Sequence, residues 1–130
     1  MQLLRTMLNR EPDNLDIKND LASISMLLGA QEFKPYDLAR QVYEKAPKNP
    51  YYASTYAFSL YLQGKQADAL MVMQQLTPND LEQPSIAPYY GVILKANGKK
   101  AEAKVYLDRA SKAKLLPEEQ ALFDQAKAGL

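Results

Sequence analysis

Apolar residues return every three or four positions along most of this chain, and Pro or Gly interrupts each run. From Leu15 to Leu28, Ile17, Leu21, Ile24 and Leu28 share one helical face, and Gly29 supplies a left-handed stop. That pattern predicts a helix. A second, Tyr36 to Ala46, sets Leu38, Ala39, Val42, Tyr43 and Ala46 on one side, and Pro47 and Pro50 forbid its continuation. The next pair runs from Tyr51 to Gln63 and, across Gly64, from Gln66 to Leu76; Thr77, Pro78, Asn79 and Asp80 close it as a turn. A third pair spans about Ser85 to Asn97 and, across Gly98, Lys99 to Lys112, with Ser85 placed to cap its first helix. Leu116, Pro117, Glu118 and Glu119 open a last helix to about Ala128, because proline fits a first turn and carboxylates complement its positive end. No stretch reads as a strand, so the expected fold class is all-α.

One block returns 34 residues later: Tyr56 to Ala69 superposes without a gap on Tyr90 to Ala103. A fixed period of this size arises when supersecondary units stack. In both copies a small residue sits midway along the first helix (Ala57, Gly91), Gly marks the turn (Gly64, Gly98), and Ala follows five residues on (Ala69, Ala103). A large residue comes four positions later (Met73, Leu107), and another apolar one three beyond (Leu76, Ala110).

This spacing resembles the tetratricopeptide repeat, in which small residues mark the close approach of two paired helices. Over roughly residues 1 to 115 the resemblance implies a right-handed α-solenoid of antiparallel helix pairs. Residues 1–14 would be the second helix of a truncated repeat, 15–49 a repeat with a five-residue turn insertion, 50–83 and 84–115 regular repeats, and 116–130 a capping helix. In that last helix Leu122, Phe123 and Ala126 are expected to face inward, and Glu119, Gln120, Asp124 and Lys127 to face water. An opening second helix without its first suggests a fragment of a longer array.

Composition removes several classes of function. With no Cys and no His, thiolate or imidazole metal sites and His-assisted nucleophiles have no residues to build them, and neither metal nor cofactor is expected. A net charge of +1 gives no field toward phosphate, and residues 51 to 94 hold one Lys against three acids, so no nucleic acid is expected. Apolar runs are short, so no direct membrane insertion is expected either. The carboxylates, Asp13, Asp16 and Asp20 among them, read as solvated helix faces, and Gly64–Lys65 and Gly98–Lys99 lack phosphate-loop spacing. The run Lys95, Lys99, Lys100, Lys104, Arg109, Lys112 and Lys114 reads as a solvated outer face, with an acidic partner as the alternative.

Nine tyrosines and three phenylalanines stand out against this background. The resemblance implies a concave groove with Asn19, Ser23, Tyr51, Thr55, Phe58, Tyr61, Tyr89, Val92 and Lys95 as candidate partner-binding residues. Asp20, Ser54 and Ser85 fall on the same inner face. Tyr51, Tyr89 and Lys95 are expected to be exposed, Phe58 and Tyr61 divide between exposure and packing, and Tyr43, Tyr56, Tyr90 and Tyr106 belong to the core. Family members that grip acidic chaperone tails use Lys, Asn and Arg; the corresponding places here hold Asn19, Ser23, Thr55, Ser85 and Tyr89, so that set is missing. The expected function is a non-enzymatic scaffold that binds a protein or peptide segment in its groove. The alternative is self-association through Leu3, Leu4, Met7 and Leu8 of the first helix.

Overall fold

The computed structural model describes residues 2–109 and 115–130. Met1, the side chains of Gln2 and Leu4 and the segment 110–114, with its expected apolar position Ala110 and the lysines Lys112 and Lys114, lie outside the described residues. Among the described residues there are nine helices and no strand: α1 (Gln2–Arg10), α2 (Leu15–Leu28), α3 (Pro35–Lys45), α4 (Pro50–Leu62), α5 (Gln66–Gln74), α6 (Pro78–Leu81), α7 (Ala87–Ala96), α8 (Lys100–Leu107) and α9 (Pro117–Ala128).

Local chemistry explains most boundaries. The Asn14 side chain accepts from the Ile17 amide at 3.1 Å to start α2, and Gly29 ends it at φ 69°. Asn49 does the same for α4, accepting from the Tyr51 and Tyr52 amides at 3.0 and 3.2 Å, with Pro50 in the first turn. Two boundaries depart from expectation. The turn at Thr77 to Asp80 winds into the short helix α6, because the Thr77 hydroxyl accepts from the Asp80 amide at 3.2 Å and so acts as a cap. Ser85 is exposed and caps nothing; the amides of Ile86 and Ala87 both reach the Gln83 carbonyl, and α7 begins at Ala87.

Helices α2 and α3, α4 and α5, and α7 and α8 pack as pairs, α3 lies against α4, and α5 lies against α7. The repeated small residues sit at these contacts: Ala57, Ala69 and Ala103 are fully buried. At Gly91 a Cβ would stand 2.6 Å from Leu107 Cγ and 3.0 Å from the Leu107 nitrogen, so no other residue fits without displacing α8. Leu21, Met73, Ile93, Leu94, Leu107 and Phe123 fill the interior, each contributing about 1.5–3 kcal/mol through burial. Helix α2 also contacts α4, α4 contacts α7, α7 contacts α9, and α9 contacts α2. These four helices therefore close a ring.

Candidate functional site

The nine candidate residues all lie on α2, α4 and α7 and divide between two cavities. Six of them, Asn19, Ser23, Tyr51, Thr55, Phe58 and Tyr89, share one cleft of about 200 Å³. Asp20, Ser54, Ser85, Ile86 and Glu119 complete its walls, so every ring helix contributes. The remaining three, Tyr61, Val92 and Lys95, line a second cavity of about 290 Å³ against Leu122, Gln125 and Ala126 of α9.

The last helix decides which candidates are accessible. Tyr89, expected to be exposed, is 8% exposed. Its ring lies between Phe58 and Phe123, with edge-on centroid distances of 5.1 Å to each, and its hydroxyl donates to Glu119 Oε2. Glu119 was expected in water. Instead it turns inward from the first turn of α9, and its other oxygen accepts from the Leu116 amide at 3.0 Å. Burial, reinforced by Glu119 and opposed by a hydrogen bond with Ser23, holds the Tyr89 phenol well above the ordinary tyrosine range. Phe58 and Val92 are buried, and Tyr61 is half-buried beside Phe58.

Lys95 also departs from expectation. It is half-buried, and its Nζ donates to the Ala126 carbonyl at 2.8 Å, where a cation complements the negative end of α9. Tyr51 keeps its expected exposure, at 47%, and its hydroxyl donates to Gln83 Oε1 at 2.5 Å. The four tyrosines assigned to the core form two ring contacts, Tyr43 stacked on Tyr56 and Tyr90 edge-on to Tyr106, each at 4.7 Å; of the four only Tyr90 is buried, and the other three are half-buried. In the basic run, Lys99, Lys100 and Lys104 are exposed and Arg109 pairs with Glu82 at 2.7 Å.

The cleft holds acceptors in excess. Asn19 is 9% exposed, and its Oδ1, shut away from solvent, accepts no hydrogen bond among the described residues. Partial burial and the neighbouring charge of Asp16 raise the Asp20 carboxyl above the ordinary aspartate value, against the opposing hydrogen bond from Asn19. Asp16 in turn accepts from the Tyr52 hydroxyl at 2.5 Å; burial first, then this bond and the two aspartates, push the Tyr52 phenol up to about 12. No Lys or Arg lines the cleft.

Glu119 and Ile86 were not among the candidates. Ser54, Ser85 and Asp20 were placed on this face by the family resemblance, but no local signal brings Glu119 to the cleft, because its position depends on α9 reaching back to α2. No group of three or more metal-ligating side chains gathers among the described residues, and no helix among them is long and apolar enough to cross a membrane. No protein-family model matches the chain, and no curated protein matches it.

Proposed function

We propose that this chain is a non-enzymatic protein-interaction module of the tetratricopeptide type, a right-handed solenoid of antiparallel helix pairs that takes up an extended or helical segment of another protein at its inner face. One observation carries the reading: residues from three separate helix pairs, Asn19 and Ser23, Tyr51, Thr55 and Phe58, and Tyr89, converge on a single cleft. The buried Ala57, Ala69 and Ala103 and the Leu107 contact at Gly91 support the repeat itself. Because α9 closes the ring, the partner lies along the cleft mouth, with Tyr51 as its aromatic anchor. Covering that ring contributes about 1.5–3 kcal/mol before ordering costs.

A photo-crosslinking phenylalanine analogue at Tyr51, compared with the same analogue at exposed Lys104 on α8, tests this in cells that make the protein. A defined protein captured at Tyr51 and not at Lys104 is expected. Equal capture at both positions, or none at Tyr51, rejects the reading.

A second reading, self-association, is favoured by α1. Leu3 is 71% exposed and Met7, one turn on, is 37% exposed, so the two form an apolar strip; Leu8 is half-buried. Light scattering should then show a concentration-dependent oligomer that Leu3→Glu abolishes. A monomer at every concentration rejects it.

A further inference from the structure

From the cleft's chemistry we infer that the group it receives is cationic: the ammonium or guanidinium of a lysine or arginine side chain. This deepens the interaction reading, on which it rests for the origin of that side chain. Four observations converge. The Asn19 Oδ1 is a buried acceptor with no donor among the described residues, and its side chain lines the cleft. A buried carbonyl oxygen without a donor is unfavourable, so turning this sealed oxygen toward an N–H in the cleft removes a penalty.

The cleft also carries two carboxylates, Asp20 and Glu119, and neither is in an ion pair among the described residues; the ion-paired acids there are Glu32, Glu44, Glu82 and Asp108. Asp16 adds its field to Asp20. Negative charge of this kind, unbalanced by any cation in the lining, favours a positive ligand over a neutral or anionic one.

Aromatic faces supply the third element. The exposed ring of Tyr51 borders the same space, with the buried Phe58 and Tyr89 behind it, and a cation beside an aromatic face gains electrostatic attraction that an alkyl or hydroxyl group does not. The fourth is size. At about 200 Å³ the cleft is below the usual range for small-molecule pockets, about 300–1,000 Å³, and suits a single long side chain.

The full chain, labelled with ¹⁵N, can be titrated with n-butylammonium and n-butylguanidinium, which reproduce the two side-chain ends. Sodium chloride at equal ionic strength and n-butanol serve as controls. The expected result is a saturable shift of the Asn19 side-chain amide resonances with at least one cation and with neither control. Asp20→Asn, which keeps the size and shape of the side chain, should weaken that binding about tenfold, as loss of a charge-assisted contact predicts. Glu119→Gln should weaken it in the same direction while still accepting from Tyr89. No saturable shift, an equal shift with n-butanol, or unchanged affinity in Asp20→Asn overturns the inference. Protein capture at Tyr51 alongside a negative titration leaves the interaction module standing and removes only its preference for a cation.

Discussion

Tyr89 on α7 donates its hydroxyl hydrogen to Glu119 in the first turn of α9, which ties the third helix pair to the last helix inside the ring. The bond lies beside the Phe58, Tyr89 and Phe123 ring contacts, so packing and polarity act on one residue. Tyr89→Phe should therefore cost about 0.5–1.5 kcal/mol, the usual net value of one hydrogen bond. Tyr89→Ala should cost about 3–5 kcal/mol through the cavity it opens. Urea unfolding measures both, and a Tyr89→Phe protein as stable as the parent would show that the Glu119 bond contributes nothing.

Tyr51 is the opposite case. It is 47% exposed, and its side-chain hydroxyl donates to Gln83, which lies outside the core. Tyr51→Ala should leave stability within about 0.5 kcal/mol of the parent while reducing partner capture. A melting shift as large as that of Tyr89→Ala would place Tyr51 in the core and remove it as an anchor.

Gly91 and Gly64 should fail for different reasons when substituted. At Gly91 the backbone is helical and the obstacle is Leu107, so Gly91→Ala overpacks at about 1–3 kcal/mol and Gly91→Asn costs more. At Gly64 the space is open but φ is 81°, so Gly64→Ala costs about 1–2 kcal/mol while Gly64→Asn, which tolerates the left-handed region, costs less than Ala. Thermal melts of the four variants should thus rank Asn and Ala in opposite orders at the two sites. The same order at both would refute the distinction.

Ala69 and its neighbour Asp68 provide a test of pair packing. Ala69 is fully buried and Asp68 is exposed. Ala69→Leu should cost about 1–3 kcal/mol, and Asp68→Ala should stay within about 0.5 kcal/mol. Equal melting temperatures would contradict the contact between α4 and α5.

Alkaline pH should weaken the fold. Tyr52 titrates at about 12 in the folded chain against an ordinary 10.0, and Tyr89 and Tyr90 are also raised. Between these values the unfolded chain has released phenolic protons that the folded chain still holds, so this stability is intact below about pH 10 and is lost as pH climbs toward 12. Unfolding free energy measured across that window should fall, and Tyr52→Phe should make the decline shallower. A flat profile would show that the phenols are not held protonated by the fold.

How much was legible beforehand follows from the range of each interaction. Caps and stops act over three or four residues, so Gly29, Gly64 and Gly98 announce the ends of their helices, while Thr77 shows how a turn and a single helical turn share one signature. The inner face was legible only through the tetratricopeptide resemblance, whose inner-face positions, carried onto this sequence, gave Asn19, Ser23, Tyr51, Thr55, Phe58 and Tyr89, and these six do line one cleft.

From residues alone came the helices and their pairing across short Pro- and Gly-marked turns; the family resemblance supplied the close contacts at Ala57, Ala69, Gly91 and Ala103 and the membership of the inner face. Tertiary structure alone decided that α9 returns to α2, buries Tyr89, draws in Glu119 and occupies Lys95. Periodicity reports which side of a helix is covered from within its own turn spacing. What covers it is chosen by contacts between segments as far apart as Ser23 and Glu119, and such contacts leave no local trace in the chain.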